Sequence, residues 1–248
     1  MSAEYAIGYE NVKKLVEARR IADFLSLPFE LSSNNILDES ISLMENLEIN
    51  FAEVASKFEK SKKFARLTRQ PSNKNALFGH FYEFAIKESF AKRIEENPRT
   101  IVHNEAALKT DNYFLTRSKD GSYIALNETR EVVAEYDMIT LTKPKNEPLL
   151  PVLWEIKIIG DGGNMQTHKK IHYTKAMWPK SLVKRLSPLS ERFATKRFGY
   201  VMVSNKDIFQ NLETVEAFVK AGGKVALIPY ETDELRSTFN KIAKERGW

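Results

Sequence analysis

The chain reads as an α/β protein, with a mixed central sheet flanked by helices and an N-terminal helical extension ahead of it. Three observations lead there. Two apolar, β-branched and aromatic runs, Val132 to Leu141 and Pro151 to Ile159, have the length and composition of strands. Ahead of them, Tyr113 to Ser118 and Ser122 to Leu126 flank Lys119-Asp120-Gly121, a hairpin turn signal. From Phe198 onward strand and helix patterns alternate, which favours at least one parallel crossover and helices on the sheet faces. The division expected is a helical extension or subdomain over residues 1–70 and an α/β domain over 71–248.

In chain order, Tyr9 to Leu25 and Asp38 to Phe58 carry amphipathic patterns, separated by Pro28 and the Ser32-Ser33-Asn34-Asn35 cluster. Lys57 to Arg69 is basic with Phe58, Phe64 and Leu67 interleaved, and reads as a solvated helix face or as a contact to a nucleic-acid backbone. A helix follows from about Asn75 to Glu96. Leu77, Phe81, Phe84 and Ala85 lie on one side, widened by Phe78, Tyr82 and Ile86, while His80, Glu83 and Lys87 form a narrow polar stripe. After the hairpin and the strand at Val132, the turn-rich 142–148 leads into the strand at Pro151, and Gly160 to Asn164 ends it. A helix is expected from near Asn164 to about Trp178. Then come a strand over Phe198 to Ser204, a helix over Asn211 to Ala221, a strand over Lys224 to Tyr230 and a closing helix over Glu231 to Glu245.

Composition removes several chemistries. With no cysteine, disulfides, zinc ribbons and thiol catalysis are excluded, and the four histidines have no zincin spacing. No apolar run is long enough for a membrane span, and the N-terminus has neither the charged start nor the apolar block of a signal peptide, so a cytoplasmic protein is expected. The net charge of +5 is modest but uneven: between His168 and Arg197 the only acid is Glu191. That stretch reads either as a phosphate-contacting surface or as a solvated basic face.

The chemistry concentrates on the two strands. Glu155 and Lys157, two apart, share one strand face, and Asp137 lies on the strand before. Two carboxylates and an ammonium on adjacent strands can hold a divalent cation and stabilise a negatively charged reaction centre. Taken alone, the same residues read as a salt-bridged pair on an edge strand with an Asp at a strand end. The flanking Val-Leu-Trp and Ile-Ile instead suggest a central strand, where charges are costly unless they serve a site.

With a helix bearing Glu83, a strand bearing Asp137, a strand bearing Glu155-Ile156-Lys157, then a helix and another strand, the chain resembles the PD-(D/E)xK nuclease superfamily, the restriction-endonuclease-like fold, over roughly Asn75 to Tyr230. Tyr136, not Pro, precedes Asp137, a departure that the family tolerates. The resemblance implies Mg²⁺- or Mn²⁺-dependent phosphodiester hydrolysis in DNA by an endonuclease. It implies Asp137 and Glu155 as metal ligands, the carbonyl of Ile156 as another, and Lys157 as the residue that orients water or stabilises the developing charge. A glutamate from the preceding helix completes the metal shell in many members. Glu83 is similar to it or else belongs to a solvated stripe, and Glu135 is a weaker alternative ligand. Gln166, Lys170 and Tyr173 fall on one face of the helix after the motif, with Lys169 adjacent. They read as substrate contacts near the scissile phosphate or as an ordinary polar rim. A homodimer is the expected assembly. The alternative function is a DNA-binding or scaffolding protein that keeps the nuclease-like fold without turnover.

Overall fold

A computed structural model of the protein describes residues 22–24, 26–32, 35–69, 74–95, 99–102, 107–117, 122–143, 148–158, 177–205 and 212–248. The architecture is mixed α/β with two sheets. The larger runs in the order β1 (Glu30–Leu31), β9 (Arg197–Ser204), β8 (Leu150–Ile156), β7 (Met138–Thr142), β2 (Thr100–Val102), and β10 (Lys224–Leu227) also pairs with β9. The smaller runs β3 (Ala107–Lys109), β4 (Phe114–Arg117), β5 (Tyr123–Leu126), β6 (Val132–Tyr136), each pair antiparallel. In the larger sheet the β2–β7 and β7–β8 pairs are antiparallel, whereas β8–β9, β9–β10 and β1–β9 are parallel. The sheet is therefore mixed, with a crossover between β8 and β9.

Strand β8 sits in the middle of this sheet and is buried along its whole length. That is why its sequence is a nearly continuous apolar run: both of its faces are covered. Val152, Trp154 and Ile156 join one core, with Met138, Val201, Val203 and the helices α1 (Asn35–Glu45), α2 (Phe51–Glu59), α4 (Lys74–Glu95) and α7 (Thr232–Arg246). Leu153 faces the other core, with Tyr136, Ile139, Tyr200, Met202, the small sheet and the helices α5 (Pro179–Phe193) and α6 (Leu212–Lys220). Trp154 is fully buried against Phe90, ring centroids 4.7 Å apart, and its indole N–H donates to Thr140 Oγ1 at 2.9 Å. The apolar body and the one polar atom of the side chain are both matched.

The N-terminal residues contribute to the same cores. Leu37, Met44, Val54 and Phe58 pack with Phe81 and Phe239, and β1 adds a short strand where only helix and irregular structure were expected. The expected helix over Asp38 to Phe58 is two helices, α1 and α2, because Asn50 caps α2 by accepting the Glu53 N–H at 3.2 Å. Ser61 caps the short α3 (Lys62–Leu67) in the same way, at 3.1 Å from the Phe64 nitrogen. The helix over residues 75–96 matches α4, with Leu77, Phe78, Phe81, Tyr82, Ala85 and Ile86 buried.

Two differences bear on the site. The expected single strand over Val132 to Leu141 is broken at Asp137: β6 ends at Tyr136 in the small sheet, and β7 begins at Met138 in the large one. Secondly, α5 was not anticipated. Trp178 and Pro179 mark its start, Pro in the first turn where its missing N–H costs nothing, but Pro188 inside the helix disguises the Leu182, Leu186, Leu189 spacing. The loop over 160–164, the turn 119–121 and residues 164–176 of the helix expected over 164–178 lie outside the described residues, and Trp178, its expected end, instead precedes α5.

Trp154→Ala is expected to lower stability by about 3–5 kcal/mol, the usual cost of deleting a buried aromatic side chain. Val132→Ala, at an exposed position, should change it by less than about 0.5 kcal/mol. Denaturant midpoints of the two variants check this.

Candidate active site

Asp137 is at the bend where the chain leaves the small sheet for the large one. Its carboxylate takes over a backbone role there, accepting the N–H of Ile156 at 2.8 Å just beyond the Met138–Trp154 pair of the β7–β8 ladder. A carboxylate used this way is positioned by the sheet itself and not by rotamer preference alone.

Glu155 alternates with Trp154 and so faces the side of Leu153, where it is 1% exposed. Lys157 follows the last β8 residue, and its main chain is pinned from both ends. Its N–H donates to Val203 O at 2.9 Å, and its carbonyl accepts from Ser204 Oγ at 2.6 Å. Held so, its ammonium reaches Glu155 Oε1 at 3.1 Å, Asp137 Oδ2 at 3.3 Å and Glu83 Oε1 at 3.7 Å, and donates to the carbonyl of Ile156 at 3.2 Å. Glu83 comes from α4, and its other oxygen meets His80 Nδ1 at 3.0 Å. Asp137, Glu155, Lys157, Ile156 and Glu83 are thus brought to one place. Glu135 is exposed, and its backbone carbonyl accepts from Arg185 NH1 at 2.9 Å. Gln166, Lys169, Lys170 and Tyr173 lie outside the described residues.

Sequence reasoning missed Arg185. From α5 it grips both oxygens of Glu155, NH1 on Oε2 and NH2 on Oε1 at 3.1 Å. Its own carbonyl accepts the hydroxyl of Tyr136 at 2.7 Å, so the helix is tied to the β6 end as well as to β8. The usable signal was Trp178-Pro179 as a helix start with leucines on either side of Arg185 at three- and four-residue spacing. Lys87, from the polar stripe of α4, donates to the buried Ser122 Oγ at 2.7 Å and adds a positive charge near Asp137.

The electrostatics follow from burial. For Asp137 burial disfavours the charged form, but Lys157, Lys87 and the Ile156 N–H outweigh it and hold the carboxyl below its ordinary range. For Glu155 burial is again the largest influence, and the neighbouring Asp137 charge reinforces it. Lys157 and Arg185 oppose both without overcoming them, and the carboxyl titrates above its ordinary range. Burial pulls the Lys157 ammonium down, yet Asp137, Glu155 and Glu83 together push it well above its ordinary value. Lys157 is a cation throughout the physiological range.

Three carboxylate oxygens and a carbonyl oxygen around one point are the donor types that Mg²⁺ and Mn²⁺ take. The point is occupied by the Lys157 ammonium, and 3.1–3.7 Å exceeds the roughly 2.0–2.6 Å of Mg²⁺– or Ca²⁺–oxygen bonds. As placed, no group of three or more His, Cys, Asp or Glu side chains among the described residues could hold a metal ion. The donors suit a hard divalent cation in kind, and the centre they surround is filled by the chain's own cation. Comparison with known proteins finds no family model, curated protein or solved structure that matches the chain. Among the described residues no helix is long and apolar enough to cross a membrane.

Arg185→Met should cost about 3–5 kcal/mol at neutral pH, because Glu155 is left buried with one cation fewer. Glu155 already titrates above its unfolded value, so its contribution is most favourable at low pH and is lost as pH rises through the folded value. Removing Arg185 raises that value further. The stability gap to the parent should therefore narrow as pH falls from about 8 to about 5. Asp137, with its depressed value, loses its contribution only at more acid pH and does not mask the effect. Urea midpoints across this range test it; a gap independent of pH would contradict the pairing.

Proposed function

We propose that this chain is a divalent-metal-dependent nuclease of the PD-(D/E)xK, restriction-endonuclease-like type, hydrolysing phosphodiester bonds in DNA as an endonuclease. The observation that carries the reading is the convergence of Asp137, Glu155, Glu83 and the Ile156 carbonyl on Lys157 at the end of a central strand. A mixed sheet with helices on both faces and a crossover after the motif strand supports the fold assignment. DNA as substrate and a homodimer as the working assembly follow from the resemblance.

In this reading Asp137, Glu155, Glu83 and the Ile156 carbonyl would hold Mg²⁺ or Mn²⁺. When bound, such an ion polarises a phosphoryl oxygen and lowers the pKa of a water. Lys157 would orient the attacking water and stabilise negative charge as it develops on the phosphorus centre. Asp137 keeps its acceptor bond to the Ile156 N–H and so fixes the distance between the two strands that carry the site. Glu155, 1% exposed, closes its own side of the cluster to bulk water. Gln166, Lys169, Lys170 and Tyr173 would contact the DNA backbone.

A second reading, a DNA-binding or scaffolding protein without turnover, draws on the neutralisation of the carboxylates by Lys157 and Arg185, as in a structural ion-pair network. Cleavage separates the two. Labelled linear, single-stranded, flapped and four-way DNA should be cut with Mg²⁺ or Mn²⁺ and spared with EDTA. Asp137→Asn and Lys157→Met should each lower the rate by at least about a hundredfold while leaving DNA binding intact. Activity surviving both substitutions would sink the site assignment.

The ammonium itself gives a readout that needs no cleavage. With Lys157→Met the carboxylates lose their internal counterion, so Mn²⁺ should raise the melting temperature of this variant more than that of the parent. An equal shift in both proteins would mean that the ion does not enter where the ammonium stands.

A further inference from the structure

Gly79 sits inside α4, and among the described glycines it alone has neither a conformational nor a packing reason. Gly222 and Gly247 take positive φ values. A Cβ on Gly199 would meet Val152 Cγ2 at 2.9 Å, and one on Gly223 would run into the ring of Phe218. Gly79 has ordinary helical backbone. Beyond its chain neighbours and the helix's own main chain, a Cβ there would have no described atom within 4 Å. Glycine is among the least favourable residues for a helix interior, so this position weakens α4, and no close packing in the chain offsets it.

Its place on the helix gives the gap a use. Gly79, Glu83 and Lys87 are four apart and share one face of α4. Glu83 Oε1 meets the Lys157 ammonium at 3.7 Å, and Lys87 Nζ donates to Ser122 Oγ at 2.7 Å, so two turns of that face are tied to the strands. Gly79 continues the face about 6 Å further along the helix, past the cluster. His80, beside it, is committed to Glu83 through Nδ1 at 3.0 Å.

We propose, resting on the nuclease reading above, that the scissile DNA strand crosses α4 at Gly79, with its sugar–phosphate backbone against the helix main chain. Without a Cβ the strand can approach closely enough for a phosphate to reach Lys157. Helix stability is given up for that clearance, a trade common at functional positions. The contact is steric. The N–H and carbonyl of Gly79 are taken up within α4, so the position reads the shape of the strand and carries no base information.

Gly79→Ala and Gly79→Leu in the whole chain test this, because stability and activity should move in opposite directions, which a merely structural role would not produce. Gly79→Ala should raise Tm by about 2–4 °C. It should nevertheless lower kcat/KM on DNA by about ten- to a hundredfold, the cost of holding the reacting phosphate about 1 Å out of place. Gly79→Leu should lower it further, whatever the base sequence of the substrate. Gly79→Ala that cuts as fast as the parent would overturn the inference and leave the nuclease reading standing. A lowered Tm or a failure to fold would overturn it too, since the space would then not be empty. DNA left uncut by the parent with Mg²⁺ or Mn²⁺ would remove the nuclease reading and the inference with it.

Discussion

A carboxylate in the middle strand of a two-faced sheet is the constraint around which this molecule is organised. Glu155 is buried between β7 and β9, and a lone charge there would cost several kcal/mol. Its two cations come from different directions: Lys157 from the end of the same strand, Arg185 from the crossover to β9. Each partner recruits further structure. Arg185 seats α5 against the end of β6 through Tyr136, and Lys157 draws in Glu83 of α4 and Asp137 of the bend. Helices on both sides of the sheet are thereby referenced to one acidic group.

The bend at Asp137 shows how the same residue serves fold and chemistry. A backbone carbonyl at this point would have continued the ladder; a carboxylate instead closes it through Oδ2, and the same oxygen also meets the Lys157 ammonium at 3.3 Å. The chain can then leave for the small sheet without orphaning the Ile156 N–H, which is fully buried. Ser204 does the corresponding work on the other side, taking up the Lys157 carbonyl where β8 has stopped pairing.

What could be read from the sequence divides along physical lines. Periodicity located β4, β5, β10, α4, α6 and α7, which bury a face, and continuous apolar runs located β8 and β9, which are buried on both. The cost of Glu155 among Leu153, Trp154 and Ile156 pointed to a central strand, and β8 is central. The break at Asp137 was not legible, since Val132 to Leu141 has unbroken strand composition and the division depends on a side chain replacing a backbone acceptor 19 residues away. Arg185 was hidden for another reason. It belongs to a basic stretch in which nothing local distinguishes an arginine aimed at a buried carboxylate from its solvated neighbours, and Pro188 obscured the helix that aims it. The small pieces β1, β2 and β3 escaped because two or three residues carry no period.

The way the ends of the described chain meet has a bearing on how the protein is made. Strand β1 pairs with Arg197 and Phe198, and Trp248 packs on Phe58, Phe64 and Phe81 while its indole donates to Glu59 at 2.9 Å. At Gly222, φ is +97°, and any Cβ there would run into the carbonyl of Leu31, so the close of α6 also abuts the β1 edge. Contacts of such sequence separation form slowly, because a long loop must close before they reward it. The rings of α2 and α4 therefore stay without Phe239 and Trp248 until residues 232–248 have been added. Until then Phe58 and Phe81 lack that cover, whereas Trp154 already has Phe90 and Thr140 as partners.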